Sequence, residues 1–276
     1  MNKIDKEALV ISKIKSDYIG DDGAIVGEYI YSMDAFFEGT HFKREWMNMA
    51  QIGKKSMLVN ISDAIAMNAK PLYALVTLAL PKDITPTQID ELTSSMQECA
   101  SEFGCEIIGG DTISSDKLHI SITIISTSSD PLKRVGLQDG DLLAYTGFLG
   151  ESKKDLEKLF AGQMIELNSK FYEPKLRDEF IYKARRYLNA GMDISDGLFC
   201  DTNKLLDINN KGFELLCDIP DEVGLSGEEY EMLIGFAPSQ LLDIEKIAKS
   251  TNTKLNIFGQ VTSNNERFDK CVTHHF

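Results

Sequence analysis

Hydrophobic and polar positions in the first half of the chain recur in patterns that predict a mixture of strands and helices. Alternating runs rich in β-branched and aromatic residues predict strands over residues 28–33, 71–80, 106–108 and 118–127. Apolar positions at helical spacing predict helices over residues 49–68 and 85–103. The second helix has clear ends, because Thr85 is a capping residue, Pro86 suits a first turn, and Gly104 follows the last apolar position.

The second half of the chain continues this mixture. Strands are predicted over residues 142–146, 213–217 and 254–261, and helices over residues 152–160, 177–189, 199–208 and 238–249. Between the halves, residues 128–140 contain Ser-Ser-Asp-Pro and Asp-Gly-Asp, which are typical of a loop between domains. We therefore predict one domain over residues 1–130 and a second over residues 131–276. Because strands and helices do not alternate strictly, an α+β fold is favoured over a doubly wound parallel sheet.

The helix predicted over residues 49–68 carries a polar stripe beside its apolar face. Ser56, Asn60 and Asp63 fall at i, i+4 and i+7. A solvated stripe would normally carry Lys, Glu and Arg, whereas small polar residues with one carboxylate indicate contact with a ligand or another element. A plain helix–helix interface accounts for this spacing equally well.

Five short acidic segments, each with Asp beside small or polar residues, are spread along the chain: Gly20-Asp21-Asp22, Ser32-Met33-Asp34, Asn60-Ile61-Ser62-Asp63, Gly109-Gly110-Asp111-Thr112 and Asp193-Ile194-Ser195-Asp196-Gly197. Taken singly, each is compatible with ordinary turn or helix-cap chemistry. Taken together, they supply the carboxylate oxygens that hold several Mg²⁺ ions against a polyphosphate. The set predicts phosphoryl transfer.

Composition and charge exclude several other classes of function. The chain has 276 residues, of which 43% are hydrophobic, enough for a substantial core. Its formal net charge is −14, and without a basic tract it lacks the footprint of a nucleic-acid-binding protein. No apolar stretch approaches the length of a membrane span, and the polar first ten residues lack the apolar core of a secretory signal. The expected location is the cytoplasm.

The five cysteines do not form a recognisable framework. They are odd in number and contain no CxxC pair, which argues against both a disulfide scaffold and a zinc site. We expect all of them to be reduced thiols.

Nucleotide-binding motifs of other folds are missing from the sequence. There is no GxxxxGK[ST] loop and no GxGxxG motif after a strand, and the HRD and DFG motifs of protein kinases and the GxSxG elbow of hydrolases are absent. A phosphotransferase with this sequence therefore uses another scaffold.

Five longer motifs carry a family resemblance across nearly the whole chain. They are Gly20-Asp21-Asp22-Gly23-Ala24, Ser32-Met33-Asp34 with Glu38-Gly39-Thr40-His41-Phe42, residues 59–71 (VNISDAIAMNAKP), Ile107-Ile108-Gly109-Gly110-Asp111-Thr112, and Met192-Asp193-Ile194-Ser195-Asp196-Gly197-Leu198. In order and separation they resemble the thiamine-monophosphate kinase family. Any one motif alone resembles the wider superfamily, which includes aminoimidazole ribonucleotide synthetase, selenophosphate synthetase and a hydrogenase maturation factor.

The resemblance implies an α+β, two-domain enzyme, with a mixed N-terminal sheet and a C-terminal α/β domain of the aminoimidazole ribonucleotide synthetase-like type. It implies transfer of the γ-phosphoryl group of ATP to thiamine monophosphate with several Mg²⁺ ions, in a homodimer. The N-terminal domain would bind ATP and Mg²⁺, and the C-terminal domain would complete the site.

The resemblance also implies roles for individual residues. The implied magnesium ligands are Asp22, Asp34, Asp63, Asp111 and Asp193, with Ser32 and Asp196 in support, and Asp63 and Asp111 as the catalytic pair. The implied nucleotide contacts are Gly110, Asp111, Arg134, Ser195 and Phe103, and the implied substrate contacts are His41 and Glu228. On residue type alone, His41 could equally be a surface histidine, Arg134 an ion-pair former between domains, and Phe103 a core residue.

Some positions depart from the family pattern. The family's Gly-Gly-Glu-Asp-Tyr-Glu segment is replaced by Ser226-Gly227-Glu228-Glu229-Tyr230-Glu231, and Met33 replaces a usual Thr. The second half is short, and the family's aromatic contact to thiamine has no clear match in residues 272–276. Two alternatives therefore remain: a superfamily enzyme in which ATP activates an amide or carboxylate oxygen, and a catalytically silent nucleotide-binding protein.

Overall fold

The computed structural model describes residues 6–271. Residues 1–5, from the N-terminal segment expected to lack a secretory signal, and residues 272–276, where the family's aromatic contact to thiamine has no clear match, lie outside this range. Among the helices of residues 6–271, none is both long enough and apolar enough to cross a membrane.

The first half of the chain forms a sheet covered on one face by two helices. Its elements are α1 (Lys6–Lys13), β1 (Ala24–Val26), β2 (Tyr29–Phe37), α2 (Met49–Ala66), β3 (Lys70–Pro81), α3 (Pro86–Glu102), β4 (Glu106–Ser115) and β5 (His119–Thr127). The strand order is β1-β2-β5-β3-β4, in which only β3 and β4 pair in parallel.

Helix α2 is the central element of this half. It begins at a capping box in which the Asn48 side chain accepts the backbone N–H of Gln51 and the Gln51 side chain accepts the backbone N–H of Asn48. Buried residues occur all around it, since it packs between the sheet, α3 and the second half of the chain. On the sheet side it meets the inward positions of β5, whose isoleucines alternate with half-exposed residues.

The second half of the chain builds a second five-stranded sheet, in the order β7-β9-β6-β10-β8. Its elements are β6 (Leu142–Thr146), α4 (Glu151–Phe160), α5 (Asp178–Ala184), a 3₁₀ turn (Arg185–Tyr187), β7 (Ala190–Asp193), α6 (Leu198–Ile208), β8 (Gly212–Leu215), α7 (Asp221–Gly224), β9 (Met232–Phe236), a 3₁₀ turn (Pro238–Gln240), α8 (Leu241–Ser250) and β10 (Leu255–Thr262). The largest hydrophobic core includes residues of both halves, among them Phe36, Ile61, Phe180 and Met232. The domain boundary at residue 130 stays a prediction.

The α+β class and most elements agree with the sequence predictions. The helix predicted over residues 177–189 was wrong in its second part, where a 3₁₀ turn leads into β7. Strands β7 and β9 were not predicted, because every residue in them is buried and neither shows an alternating pattern. Strands β2 and β4 are longer than predicted, which places Asp34 and Asp111 within strands.

The expectation of five reduced thiols was wrong for two cysteines. Cys200 and Cys271 form a disulfide, with Cα atoms 4.9 Å apart, although 71 positions separate them in sequence. The C-terminal segment reaches α6 because Phe268 stacks on Phe199 and its backbone exchanges hydrogen bonds with the Asn203 side chain. Cys99, Cys105 and Cys217 are free thiols, as predicted.

Candidate active site

A cavity of about 790 Å³ opens where the loop before β1, β2, α2 and the β7–α6 loop meet. Most of the sequence-predicted site residues line it: Asp22, Asp34, His41, Asp63, Arg134, Asp193, Ser195, Asp196 and Glu228. We call it the carboxylate cavity. Residues from four of the five acidic segments therefore come together, although the segments are spread over more than half of the chain.

Three carboxylates converge at the base of the cavity. Oxygen atoms of Asp22, Asp63 and Asp193 all lie within 4.8 Å of one another. The three residues come from a loop, from α2 and from the end of β7, so the site depends on how both halves of the chain fold. One cation placed among them could contact all three side chains.

Neighbouring side chains fix the position of two of these carboxylates. The Ser62 hydroxyl donates to Asp193 Oδ2 at 2.6 Å. Arg134 donates to Asp22 through Nε, at 3.0 Å, and through a terminal nitrogen. The backbone N–H of Arg134 also donates to Asp21 Oδ1 at 2.7 Å, so the guanidinium is anchored at the cavity wall. Arg134 thus forms an ion pair and lines the cavity at the same time.

The residues of the polar stripe on α2 have two different roles: some make hydrogen bonds within the protein, and one lines the cavity. Asn60 Oδ1 accepts the backbone N–H of Asp34 at 2.9 Å, and Asn60 Nδ2 donates to the Ser56 carbonyl at 2.9 Å. These contacts tie β2 to α2 at the level of Asp34. Asp63, one turn further along, faces the cavity.

The carboxylates raise one another's pKa in the absence of a cation. Burial raises the pKa of Asp22 to about 7, with Asp193 adding to the shift and Arg134 opposing it. Burial, Asp34 and Asp193 raise the pKa of Asp63 well above its usual range. Burial also raises the pKa of Asp193. A divalent cation would relieve this repulsion, and an oxygen-only donor set of carboxylates suits Mg²⁺ better than a softer metal.

The β7–α6 loop is organised by the buried carboxylate of Asp201. Its Oδ2 accepts the backbone N–H groups of Ser195 and Asp196, each at 3.0 Å. Burial raises the pKa of Asp201 to about 7. Lys204 forms an ion pair with Asp196 on the same side. The loop therefore presents Ser195 and Asp196 to the cavity in a fixed arrangement.

His41 and Glu228 lie on the cavity wall and are also held by specific contacts. His41 Nδ1 accepts the backbone N–H of Phe37 at 2.9 Å, which places the proton of a neutral ring on Nε2. Glu228 adopts a left-handed backbone conformation with φ of 54°. The fully buried ammonium of Lys55 donates to its Oε2 at 2.6 Å. A non-glycine residue keeps a left-handed backbone only where the surrounding structure offsets its strain. Such residues are concentrated at functional sites.

Four predicted site residues are not among those that line the cavity. Ser32 is buried on β2, and within residues 6–271 its hydroxyl has no hydrogen-bond partner. Phe103 packs against the core at the end of α3. Gly110 and Asp111 lie on the exposed edge strand β4.

The sheet register shows how far Gly110 and Asp111 are from Asp34. Asp34 pairs with Ile122, Ile122 with Val76, and Val76 with Gly110. Asp34 and Gly110 therefore lie in one row, three strand spacings apart, or about 14 Å. Gly110 also has a packing role, since a Cβ atom there would lie 1.7 Å from the Val76 carbonyl oxygen.

Several residues that support the site were not predicted from the sequence: Lys55, Asp201 and Lys204. A signal existed for Lys55, because it lies on the same helical face as Ile52 and Val59, where a lysine is unexpected. Asp201 and Lys204 lie on a predicted helix next to an acidic segment, but only the fold shows that they turn back toward the loop.

Comparison with known proteins places this site in a family. Residues 20–127 match the family model described as AIR synthase related protein, N-terminal domain. A thiamine-monophosphate kinase of Leptospira interrogans is 32% identical over 267 residues, covering 89% of this chain and 83% of that protein. A thiamine-monophosphate kinase of Aquifex aeolicus is 30% identical over 236 residues, covering 80% of this chain and 76% of that protein.

Solved structures agree with this assignment. The structure of AaThiL complexed with AMPPCP and TMP superposes with a TM-score of 0.85 at 25% identity, covering 98% of this chain and 96% of that one. The hydrogenase maturation protein HypE of E. coli shares the fold, with a TM-score of 0.73 at 17% identity and coverage of 94% and 90%. From the two curated relatives and their coverage, this chain belongs to the thiamine-monophosphate kinase family.

Proposed function

We propose that this protein transfers the γ-phosphoryl group of ATP to thiamine monophosphate, giving thiamine diphosphate and ADP. The observation that carries the proposal is the convergence of Asp22, Asp63 and Asp193 in the carboxylate cavity. Family membership supports the substrates, since AaThiL was solved with AMPPCP, an ATP analogue, and TMP.

We further propose that the cavity holds Mg²⁺. Asp22, Asp63 and Asp193 would be the central ligands, Asp34 lies on the same wall, and Ser32 and Asp196 would support the site. When bound, Mg²⁺ would neutralise the charge of the phosphates and orient them. Asp34 and Asp193 are both close enough to Asp63 to raise its pKa, and we propose that Asp63 is shared between ions, which would be its catalytic role.

The residues of the cavity would act by binding and orienting. Arg134 contributes a positive charge at the wall, where it can contact phosphate oxygens, and Ser195 would lie beside the nucleotide. His41 presents its Nε2 proton as a donor for the acceptor, and Glu228 faces the acceptor. The acceptor already carries an ionised phosphate oxygen, so direct in-line transfer needs no strong general base.

We propose that the active protein is a homodimer in which Asp111, Gly110 and Phe103 serve a site shared with the second copy. Asp111 lies about three strand spacings from Asp34, too far to share an ion within one subunit. The sheet face opposite α2 also leaves Met33, Leu75 and Ile108 exposed. A second subunit packed on this face would cover these side chains and bring its own β4 toward the carboxylate cavity.

Two alternatives remain, and a coupled assay separates them from the proposal. The purified protein is given ATP and Mg²⁺ with thiamine monophosphate, thiamine, or an amide or carboxylate acceptor, and both ADP and the phosphorylated product are measured. We expect thiamine diphosphate from thiamine monophosphate and no phosphorylation of thiamine, whose neutral hydroxyl would need a base. ADP release only with the amide or carboxylate acceptor would indicate a different superfamily enzyme. No turnover with any acceptor, despite nucleotide binding, would indicate a silent nucleotide-binding protein.

A further inference from the structure

The segment that carries Glu228 lies between α7 and β9, and its alternate residues face different surroundings. Glu228 and Tyr230 line the carboxylate cavity, whereas Glu229 and Glu231 are fully buried. Glu228 and Tyr230 also have left-handed backbones, with φ of 54° and 51°. We call residues 226–231 the connecting segment. Its two cavity-lining residues need contacts elsewhere that offset their backbone strain.

Two residues of the connecting segment that depart from the family pattern contact each other. Ser226 and Glu229 stand where the family has Gly and Asp. Both are fully buried, and the Ser226 hydroxyl donates to Glu229 Oε1 at 2.5 Å. A glycine has no hydroxyl to donate, and an aspartate is one methylene shorter than a glutamate. The added hydroxyl and the longer side chain meet in one hydrogen bond, which indicates that the two departures are coupled.

The same two residues cap α4 from outside the helix. The N-cap residue of α4 is Gly150, which has no side chain to accept the first N–H groups. Glu229 Oε1 accepts the backbone N–H groups of Gly150 at 2.7 Å and of Ser152 at 3.3 Å, and the Ser226 hydroxyl accepts that of Lys153 at 3.1 Å. A carboxylate is favoured at a helix N-terminus. Ser226 and Glu229 therefore fix the start of α4 to the connecting segment.

The start of α4 in turn holds the backbone of Glu228. The Ser152 hydroxyl donates to the Glu228 carbonyl oxygen at 3.0 Å. The backbone N–H of Glu228 donates to the Ser195 carbonyl oxygen at 2.7 Å. Both backbone polar groups of Glu228 are thus bound, one by α4 and one by the β7–α6 loop. This arrangement directs the Glu228 side chain toward Lys55 and the cavity.

Buried ion pairs balance the charge of Glu229. The Lys170 ammonium lies 2.8 Å from Glu229 Oε2 and 3.1 Å from Glu231 Oε1. Arg177 donates to both oxygens of Glu231 at 2.6 Å. A large change at Glu229 would disturb these ion pairs as well as the helix cap. Ser226 is therefore the cleaner position for a test, since its side chain is neutral.

We propose that Ser226 and Glu229 act as one positioning unit that holds Glu228 on the wall of the carboxylate cavity through the start of α4. Neither Ser226 nor Glu229 is among the described residues that line the cavity, so both act through Glu228. Where it concerns the acceptor, the inference rests on the proposed function, in which Glu228 faces thiamine monophosphate.

Hydrogen exchange followed by mass spectrometry measures this positioning without turnover. Ser226→Ala removes only the hydroxyl, and we expect the amides of residues 226–231 to exchange about tenfold faster than in the wild type. Ser169→Ala is the matched control, because the Ser169 hydroxyl also donates to a carboxylate at 2.5 Å, that of Asp155 on α4. It should leave exchange in the connecting segment unchanged. No change in Ser226→Ala, or equal changes in both variants, would contradict the proposal.

The coupling of the two positions is tested by restoring the family's residues. Ser226→Gly and Glu229→Asp should each lower the Tm by about 3 °C or more, because each leaves buried hydrogen-bonding groups without their partner. The double variant should lose clearly less than the sum of the two losses, since neither residue is then matched to an absent one. Losses that simply add would show that the two positions are independent.

Steady-state kinetics test whether the pair acts through Glu228. Ser226→Ala should raise the KM for thiamine monophosphate by about threefold to tenfold without changing the KM for ATP, and Ser169→Ala should change neither. In a Glu228→Gln background, Ser226→Ala should have no further effect on the KM for thiamine monophosphate. A full further effect there would show that Ser226 does not act through Glu228. If the wild type formed no thiamine diphosphate, the proposed function would fail, and hydrogen exchange would still decide whether the pair positions Glu228.

Discussion

At the scale of single residues, the chemistry depends on carboxylates that the fold crowds together. Asp22, Asp63 and Asp193 would repel one another strongly if all three were ionised without a counterion, since burial lowers the effective dielectric around them. Arg134 offsets only part of this charge through Asp22. Because the three carboxylates repel one another, binding a divalent cation together with phosphates would lower the electrostatic energy of the site.

The raised pKa values predict how the stability of the metal-free protein depends on pH. The pKa of Asp22 is about 7 in the folded protein against an ordinary value of 3.8, so the folded state holds a proton that the unfolded state has released. The stability gained is fully present below 3.8 and is lost as the pH rises through about 7. We therefore expect the Tm in a metal chelator to fall as the pH is raised through neutrality.

Mg²⁺ and variants provide the controls for this pH prediction. Mg²⁺ with AMPPCP should remove most of the fall in Tm, because ligand binding favours the ionised carboxylates of the native state. Asp22→Asn should make the Tm in the chelator fall less steeply as the pH is raised. A Tm that rose with pH through neutrality in the chelator would show that these carboxyls are ionised without metal.

Asp63→Asn tests the catalytic role of a single oxygen ligand. Removing the charge while keeping the shape should lower kcat by at least about a hundredfold, the scale of electrostatic transition-state stabilisation. The far-UV circular dichroism spectrum should be unchanged. Asp90→Asn, an exposed aspartate on α3, is the matched control and should retain activity. Near-wild-type turnover of folded Asp63→Asn would exclude a metal-bridging role.

At the scale of elements, α2 connects the two halves of the chain as well as supplying Asp63. The buried ammonium of Lys55 lies 4.1 Å from the Phe171 ring centroid and binds Glu228, so one side chain joins α2 to two segments of the second half. The adjacent Lys54 points outward and pairs with Glu173. These two lysines allow the role of a buried pair to be compared with that of a partly exposed one.

We expect Lys55→Met to destabilise the protein by roughly 3 kcal/mol, the lower end for breaking a buried ion pair, since Glu228 keeps 23% exposure. Lys54→Met should cost less than about 1 kcal/mol, as for other exposed pairs. Urea denaturation monitored by circular dichroism measures both. Equal losses of stability in the two variants would mean that the buried Lys55–Glu228 contact stabilises the protein no more than the partly exposed Lys54–Glu173 contact does.

Elements with clear end signals or a periodic pattern of hydrophobic and polar residues could be predicted from the sequence, and elements without either could not. The boundaries of α3 followed from Thr85, Pro86 and Gly104, because capping and turn chemistry are local. The fully buried strands β7 and β9 show no alternation, so their type depends on neighbours that only the fold supplies.

For the candidate site, the acidic segments identified the carboxylates but not their contacts. Asp22, Asp63 and Asp193 were predicted from residue type, spacing and family resemblance. The roles of Ser62 and Lys55 depend on residues more than 100 positions away, which a local pattern cannot show. The disulfide between Cys200 and Cys271 was missed because 71 positions separate the two cysteines in sequence, which is also beyond the reach of a local pattern.

At the scale of the whole molecule, the proposed homodimer makes a prediction about complementation. If Asp111 acts on the site of the second subunit, Asp63→Asn and Asp111→Asn remove different parts of the same shared site. Each variant alone should be nearly inactive. After mixing and subunit exchange, heterodimers with one intact site should recover part of the wild-type activity, and light scattering should give twice the mass of one chain. A monomer in solution, or no recovery in mixtures shown to contain heterodimers, would contradict the shared site.

The most direct test of direct transfer from ATP to thiamine monophosphate is the stereochemistry at the transferred phosphorus. ATP made chiral at its γ-phosphorus with oxygen isotopes is used with thiamine monophosphate and Mg²⁺, and the configuration of the terminal phosphate of the thiamine diphosphate is determined. A single in-line displacement inverts the configuration, and inversion is the result we predict. Retention would require two displacements through a phosphorylated enzyme, and absence of the label from thiamine diphosphate would contradict the proposed reaction itself.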